Sequence, residues 1–367
     1  MADTARDLAH MRAALALARR TLGAVWPNPA VGCVIVNDGR VVGRGWTQPG
    51  GRPHAETEAL ARAGNAAKGA TAYVSLEPCS HHGRTPPCAE ALIAGGVARV
   101  VAAVEDPDPR VSGNGFARLR AAGVAVETGL CAAEAEELNA GFFCRIREGR
   151  PLVTVKLATS LDGRIATPTG ASRWITGAAA RERAHLLRAT HDAVLVGTET
   201  ALADDPQLTC RLPGLEGRSP LRIVIDRHLR LPATLHVLAE AQQTPTWLVA
   251  LPSSDPARQA ALAEQGVRIV AAKPDGRGID LAALLRRLGD EGLTRLLVEG
   301  GGTLTATLLC AGLVDRFVWM RAPLLIGGDG VPAVAALALD ELAGAPRFEL
   351  VSSDVASGDV IDTYRRA

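Results

Sequence analysis

Apolar and polar positions along the first 147 residues alternate between strand-like and helix-like spacing. Residues 3–22 repeat apolar side chains at helical spacing, and "VGCVIV" and "VVGRGW" flank a DG turn typical of a β-hairpin. The segments that follow predict alternating helices and strands: "HAETEALARAG", "ATAYVSL", "PPCAEALIAGG", "RVVAAV", "GFARLRAAG" and "VAVETG". This part of the chain, residues 1–147, therefore predicts a layered α/β domain.

A second α/β domain is predicted from residue 151 to residue 367. The pattern breaks at "REGRP", where charges, Gly149 and Pro151 interrupt it, and a new strand, "LVTVKLATS", begins. Further strands are indicated by "AVLVG", "LRIVID", "TWLVA", "VRIVA" and "RLLVEG", with helices such as "AAARERAHLLRAT" and "LAALLRRLGDEG" between them. Such alternation favours parallel pairing, and the tail "RFELVSSDVASGDVIDTYRR" predicts a closing hairpin.

The length and composition of the chain agree with two domains, and its charge argues against nucleic-acid and membrane partners. The chain has 367 residues, more than the size at which a single hydrophobic core usually keeps growing, and 47% of its residues are apolar. Its net charge is +1, from 40 basic and 39 acidic residues, so it offers no electrostatic footprint for nucleic acid or an anionic membrane. Small-molecule partners are expected. The first residues lack the apolar core of a signal peptide, and no stretch approaches the roughly 20 apolar residues of a membrane span, so we expect a cytoplasmic protein.

The segment "PCSHHGRTPPC" carries the first candidate chemistry. Its two cysteines, Cys79 and Cys88, could form a disulfide, bind a metal or provide a reactive thiol. The chain has seven cysteines, an odd number spread over a long sequence that is not expected to be secreted, so a disulfide framework is a poor explanation. With His54 from "HAE" they make three ligands suited to tetrahedral zinc, which leaves one position for water and lowers the pKa of that water towards about 7. Glu56, two residues after His54, can then move a proton to a leaving amine.

A closed structural zinc site is the main alternative at this point. Cys33, His81 or His82 would supply its fourth ligand. We favour the catalytic site, because a structural zinc has no use for the carboxylate of Glu56. The pattern also matches the H-x-E and P-C-x-x-C signature of zinc deaminases, except that eight residues separate the two cysteines here instead of two.

These motifs resemble a known family. "PNPAVGCVIV", "HAETEAL" and "LEPCSHHGRTPPC" are similar to the deaminase half of the bifunctional riboflavin biosynthesis enzymes, which are diaminohydroxyphosphoribosylaminopyrimidine deaminases and 5-amino-6-(5-phosphoribosylamino)uracil reductases. The resemblance implies a cytidine-deaminase-like three-layer fold in which His54, Cys79 and Cys88 bind zinc and Glu56 is the proton shuttle. It further implies pyrimidine or ribose phosphate contacts for Asn28, His81 and Arg84.

The second half lacks the G-x-G-x-x-G of a Rossmann domain, but "VEGGGTLTATLL" places three glycines between a strand and a helix, where backbone N–H groups can hold phosphate. Here "KLATSLDGRIA", "SRWITG", "TALADDPQLTCR", "LRIVID" and "VEGGGTL" extend the resemblance over nearly the whole chain. It implies a dihydrofolate-reductase-like α/β fold that uses NADPH. The NADPH contacts implied are Ala158, Trp174, Thr200, Asp204, Gly301, Gly302, Thr303, Leu304, Thr305, Ala306 and Thr307; the substrate contacts implied are Ser172, Arg188, Leu208, Arg211 and Glu299.

Lys156 is a further candidate from the strand pattern. A period of two places Lys156 on the same face as Ala158, which is expected beside the nicotinamide, so we predict that Lys156 binds or protonates the sugar oxygens during reduction. Two other functions stay open: a nucleoside or tRNA-type zinc deaminase fused to an unrelated reductase, and a zinc-stabilised nucleotide-binding module. The resemblance also implies a homo-oligomer formed through the reductase half.

Overall fold

A computed structural model describes residues 2–81, 86–276 and 278–367. The chain divides into two compact units, residues 1–149 and residues 150–367, so that the division falls within "REGRP".

The first unit is built on a mixed sheet. Its strands are β1 (Gly32–Asn37), β2 (Arg40–Trp46), β3 (Thr71–Val74), β4 (Arg99–Ala102) and β5 (Ala125–Thr128), in the order β2-β1-β3-β4-β5. Strand β1 pairs antiparallel with β2 and β3, whereas β3, β4 and β5 run parallel. The predicted hairpin of β1 and β2 is confirmed.

Helices cover both faces of this sheet. They are α1 (Ala2–Arg19), α2 (Ala55–Ala63), α3 (Cys88–Ala94), α4 (Asn114–Ala121), α5 (Ala132–Leu138) and α6 (Ala140–Glu148). Alternate residues of β1 enter different cores: Cys33 and Ile35 pack with α2, α3, α4 and α6, while Val34 and Val36 pack with α1 and α5. The strand periodicity of two thus produces the expected three-layer arrangement.

Helix α2 lies directly on the backbone of β2. A Cβ atom at Gly45 would stand 2.0 Å from the carbonyl oxygen of Ala55, and one at Gly43 would stand 2.2 Å from that of Ala59. Only glycine in the strand permits this approach, because any side chain there would displace the helix.

The second unit has a larger mixed sheet. Its main strands are β6 (Leu152–Thr159), β8 (Ala193–Gly197), β9 (Leu221–Ile225), β10 (Thr246–Ala250), β11 (Val267–Ala271), β14 (Arg295–Val298), β15 (Arg316–Arg321), β17 (Phe348–Ala356) and β18 (Asp359–Arg366). Their order is β11-β10-β9-β8-β14-β6-β15-β18-β17. All pairs from β11 to β15 are parallel, as predicted, and the last two strands form the predicted antiparallel hairpin. Four short strands form two separate two-stranded sheets: β7 (Arg164–Ala166) with β16 (Val331–Pro332), and β12 (Pro274–Asp275) with β13 (Gly278–Ile279).

The helices of the second unit pack on the parallel strands. They are α7 (Ala178–Thr190), α8 (Thr198–Asp204), α9 (His236–Ala239), α10 (Pro256–Glu264), α11 (Leu281–Asp290) and α12 (Gly302–Cys310). The carboxyl ends of β8, β9 and β14 meet at one edge of the sheet, which brings the first turns of α8 and α12 together.

In the described part of the chain, no helix is long and apolar enough to cross a bilayer. The cytoplasmic location and the absence of nucleic-acid partners stay predictions.

Candidate active sites

Three predicted metal ligands converge in the first unit. His54 immediately precedes α2, Cys79 follows β3, and Cys88 begins α3. His54 Nδ1 lies 3.2 Å from Cys88 Sγ and 3.6 Å from Cys79 Sγ, and the three ligand atoms lie within 4.8 Å of one another. Ligand atoms around a tetrahedral zinc stand roughly 3.3 to 3.8 Å apart, given bonds of about 2.0 to 2.3 Å, so this donor set fits zinc.

The electrostatics of the site prepare the groups for metal binding and proton transfer. The hydrogen bond from Cys88 lowers the pKa of the Cys79 thiol, burial opposes that shift, and His54 adds to it. Burial raises the pKa of the Glu56 carboxyl, and nearby Cys79 raises it further. Glu56 is only 3% exposed and sits in the first turn of α2. A carboxyl of raised pKa beside a metal site is suited to exchanging protons near neutral pH.

Two of the three fourth ligands considered for a structural zinc do not join the cluster. Within residues 2–81, 86–276 and 278–367, Cys33 and His81 contribute no ligand atom to this group of three. His82 lies outside the described residues. None of the seven cysteines, Cys79 and Cys88 included, is in a disulfide; Cys33, Cys144 and Cys210 are buried, while Cys310 is exposed.

A cavity of about 310 Å³ opens onto His54, Cys79 and Glu56. Asn28 and His81, both predicted substrate contacts, line it, and Arg84 lies outside the described residues. The Nδ1 atom of His81 is buried without a hydrogen-bond partner among the residues described. The side chain of Asn28 packs over Gly51. A Cβ atom at Gly51 would stand 1.9 Å from Asn28 Nδ2.

Several cavity residues escaped the prediction from sequence: Glu77, Asp106, Asp108 and Arg110. Burial raises the pKa of Asp106 to about 7. Arg110 contacts the Asp108 carboxylate through Nε at 2.9 and 3.1 Å. Asp106, Asp108 and Arg110 belong to "EDPDPR" in the connection between β4 and α4, whose cluster of charged residues was the available signal for them.

In the second unit, the three glycines form a close junction between β14 and α12. The backbone N–H of Gly301 donates to Thr200 Oγ1 at 3.1 Å, so the first turns of α8 and α12 are joined. A Cβ atom at Gly302 would stand 2.8 Å from the carbonyl oxygen of Pro332. The junction supplies backbone N–H groups at a helix N-terminus, as a phosphate cradle requires.

Three charged residues predicted for the reductase chemistry lie in one buried group. Arg188 donates to Glu299 from Nε at 2.5 Å and from Nη2 at 2.9 Å, and Lys156 Nζ lies 3.6 Å from the same carboxylate. Burial raises the pKa of Glu299, but Arg188 and Lys156 outweigh it and bring the pKa to about 2. Glu299 is therefore a carboxylate already paired with two cations.

The other predicted contacts differ widely in exposure. Trp174 is 68% exposed, and the Arg181 guanidinium lies 4.8 Å from its ring centre. The Asp204 carbonyl accepts from Arg173, and Arg211 Nη1 donates to Gln207 and Thr209. Ser172, Ala158 and Leu304 are half-buried, while Thr303 and Thr307 are exposed. Leu208, Thr305 and Ala306 are buried and present almost no surface to a ligand.

Comparisons with known proteins match both units. Residues 4–104 match the cytidine and deoxycytidylate deaminase zinc-binding region, and residues 151–361 match the RibD C-terminal domain. The riboflavin biosynthesis protein RibD of Escherichia coli is 45% identical over 94% of this chain and 95% of that protein. A solved structure of Acinetobacter baumannii RibD has 38% identity and a TM-score of 0.89, covering 99% of both chains. A diaminohydroxyphosphoribosylaminopyrimidine deaminase/5-amino-6-(5-phosphoribosylamino)uracil reductase of Thermotoga maritima has 32% identity and a TM-score of 0.87, covering 100% of both.

The fold and the two sites define a two-domain α/β enzyme, with a zinc-binding deaminase domain followed by a reductase domain. The matches cover both domains and nearly the full length of the relatives. The chain belongs to the RibD family of riboflavin biosynthesis proteins. The family resemblance and the fold class expected from the sequence are confirmed.

Proposed function

We propose that this chain catalyses two consecutive steps of riboflavin synthesis. The first is hydrolytic deamination of 2,5-diamino-6-(5-phosphoribosylamino)pyrimidin-4(3H)-one to the corresponding uracil, with release of ammonia. The second is reduction of the ribosyl group to ribityl with NADPH. The observation that carries the proposal is the group of three metal-ligating side chains beside the buried carboxyl of Glu56. The second domain of the same chain matches the RibD C-terminal domain.

In the deaminase domain, His54, Cys79 and Cys88 would hold zinc, and an open fourth position would let the metal activate water for attack on the pyrimidine. Glu56 is the proton carrier: it accepts the proton lost by the attacking water and returns one to the departing amine. Its position is set by α2, whose N-cap residue is His54, so the metal ligand and the proton carrier keep a fixed spacing.

Substrate orientation falls to side chains of the cavity wall. The Asn28 amide can both donate to and accept from the pyrimidine. The unpartnered Nδ1 of His81 supports a hydrogen bond to the substrate, because a buried ring nitrogen left without a partner is costly. Arg84 stays a proposed phosphate contact on the family resemblance alone.

In the reductase domain, NADPH would supply hydride to C1 of the opened sugar. Backbone N–H groups in the first turn of α12 and the hydroxyl of Thr200 would hold its phosphates, with the rest of the segment 301–307 beside them. Ala158, Trp174 and Asp204 would complete its site. Ala158 is a small, half-buried residue of β6, and the exposed Trp174 ring is available for contact with the cofactor. Ser172, Leu208 and Arg211 are proposed for the substrate.

Arg188, Glu299 and Lys156 are proposed to act as a group on the sugar. Because Arg188 binds both oxygens of Glu299, the carboxylate is fixed in place and can accept from a sugar hydroxyl only through its remaining lone pairs. Lys156 is held less tightly at 3.6 Å, which leaves its ammonium donors able to reach the sugar oxygens. We propose that Lys156 stabilises or protonates these oxygens during reduction.

We also propose that the reductase domain carries a contact between two copies of the chain. Strand β17 is the last strand of its sheet, and along it Leu350, Val351 and Val355 are 58%, 51% and 78% exposed. An apolar strand at a sheet edge favours pairing with a like surface. Light scattering should give a dimer or larger assembly that Val355→Lys weakens, whereas a wild-type monomer would contradict the proposal.

One assay tests both activities in the full chain. Zinc-loaded protein is given the pyrimidinone ribosyl phosphate with and without NADPH, and ammonia and the absorbance of the reduced cofactor are followed. We expect ammonia release without NADPH, and NADPH oxidation only after deamination. Absence of ammonia would remove the deaminase assignment, and deamination of cytidine or tRNA alone would favour a different deaminase with an unrelated reductase.

A further inference from the structure

The connection between β4 and α4 forms one wall of the deaminase cavity. Asp106, Asp108, Arg110 and Val111 of this connection line the cavity, and both aspartates are only 6% exposed. We call residues 103–113 the wall loop. It contributes none of the metal ligands and not the proton carrier, which come from α2, the end of β3 and α3.

A single buried side chain holds both ends of the wall loop. Glu77 Oε2 accepts from the backbone N–H of Asp106 at 3.3 Å and from that of Gly113 at 3.0 Å. Its Oε1 accepts from the N–H groups of Gly115 and Phe116 at 2.9 and 3.2 Å, in the first turn of α4. Glu77 is 3% exposed, and its own N–H donates to the carbonyl of Val104 at 3.0 Å.

These bonds leave Glu77 no capacity for acid–base chemistry, although it lines the same cavity as Glu56. A carboxylate has about four acceptor positions, and four backbone donors occupy them here. The carboxylate also compensates the partial positive charge at the start of α4, whose N-terminal residue Gly113 provides no side-chain cap.

The start of α4 is packed tightly against the segment that carries Glu77. A Cβ atom at Gly115 would stand 2.0 Å from the carbonyl oxygen of Pro78 and 3.0 Å from Glu77 Oε1. Gly113 has a φ of +75°, a conformation that favours glycine. The position of the wall loop is thus set by backbone contacts with residues 77 and 78.

We propose that Glu77 is a positioning residue that determines how well the deaminase site recognises its substrate, by fixing the wall loop and the polar groups it presents. The inference rests on the proposed deaminase function. Asp106 in turn accepts from the N–H of Asp108 at 2.9 Å, and Asp108 pairs with Arg110, so a shift of the loop would move all three groups together. Since the metal ligands and Glu56 lie on other elements, a displaced loop weakens substrate binding and leaves the chemical step largely intact.

The test is Glu77→Gln in the full chain. Glutamine keeps the size of the side chain and one acceptor oxygen, but its NH₂ group faces two N–H donors and cannot accept from them. We expect KM for deamination to rise roughly tenfold, as for the loss of one or two hydrogen bonds that hold the loop. We expect kcat, zinc content and NADPH oxidation with the uracil intermediate to stay near their wild-type values.

A matched control separates positioning from general destabilisation. Asp7 is another carboxylate of the same domain that accepts hydrogen bonds, from Tyr73 at 2.5 Å and Arg99 at 2.6 Å, and it does not line the cavity. Asp7→Asn should leave KM unchanged. Hydrogen exchange in Glu77→Gln should accelerate in peptides from residues 103–116 and stay unchanged in α1.

An unchanged KM in Glu77→Gln, with active wild-type enzyme, overturns the inference alone. A fall of kcat in step with zinc loss also overturns it, because that would show a structural role. Wild-type protein that releases no ammonia overturns the proposed function as well. If Glu77→Gln does not fold, Gly113→Ala strains the other end of the loop with no close contact for the new Cβ, and the same rise in KM is expected.

Discussion

The two candidate sites handle charge in opposite ways. In the deaminase domain, Glu56 is buried without a cation paired to it among the described residues, and its pKa is raised. In the reductase domain, Glu299 is also buried but is paired with Arg188 and Lys156, and its pKa is about 2. A carboxyl of raised pKa can exchange a proton, whereas a paired carboxylate fixes the position of its neighbours. Burial alone therefore does not define the role of an acidic residue; its partners do.

The largest expected effect is the removal of zinc. Treatment with a chelator should abolish ammonia release, and added zinc should restore it. The reason is that the zinc held by the three ligands is proposed to activate the attacking water. NADPH oxidation with the uracil intermediate should persist, since the proposed reductase residues include no metal ligand. Loss of both activities would mean that zinc also supports the reductase domain.

The second largest effect is expected when Glu56, the proposed proton carrier, is replaced. Glu56→Gln should lower kcat for deamination by about 10²- to 10⁴-fold, the usual contribution of general acid–base catalysis. Zinc content, measured by atomic absorption, should not change. Glu58→Gln serves as the control, because Glu58 lies on the same helix and pairs with Arg62 at 3.2 Å. Near-normal ammonia release in Glu56→Gln would show that another group carries the proton.

A smaller effect is expected for Lys156→Met in the reductase domain. Glu299 keeps its two bonds to Arg188, so the buried carboxylate stays paired and the fold should survive. We expect NADPH oxidation to slow by roughly 100-fold, within the range for loss of one stabilising donor, while deamination continues. Lys273→Met, at an exposed position of the same domain, provides the control. Normal reductase turnover would exclude Lys156 from the mechanism.

The smallest effect is a pH dependence of stability in the reductase domain. Glu299 has a pKa of about 2 in the fold against an ordinary value of 4.5, so the unfolded chain takes up its proton first as the pH falls. The stabilisation is present above pH 4.5 and is lost as the pH falls towards 2. Hydrogen exchange of peptides from β14 and α7 should therefore accelerate over this range. Hydrogen exchange in Glu299→Gln should accelerate less than in the wild type over this pH range. If the two proteins have the same pH profile, the pairing of Glu299 with Arg188 and Lys156 does not contribute to stability.

The sequence predicted elements well where the periodicity was complete. Helix α7 matches "AAARERAHLLRAT" residue for residue, and the parallel strands follow their apolar runs. Helices α5 and α6 and strand β15 were missed, although "FF" at 142–143 and "RFVWMR" are buried segments. Apolar runs this short do not distinguish a helix from a strand without knowledge of the surface that covers them.

The convergence of the three proposed deaminase ligands was predictable because each lies within a motif and the motifs have a fixed order. Glu77 was not, although it stands two residues before Cys79, because its role depends on N–H groups 29 to 39 residues away in the chain. The pairing of Arg188 with Glu299, separated by 111 residues, is equally invisible in sequence. Contacts of this length arise from the order of strands in the sheet, which residue patterns do not specify.

The contact of α2 with β2 has a consequence for which mutations the deaminase domain can accept. Gly43 and Gly45 have no side chain and do not line the deaminase cavity, yet they set the distance of α2, and with it His54 and Glu56, from the sheet. Enlarging either glycine would move the metal ligand and the proton carrier as one rigid body away from Cys79, which is anchored after β3. Loss of activity in this half of the enzyme can therefore come from two positions that look neutral in any inventory of reactive groups.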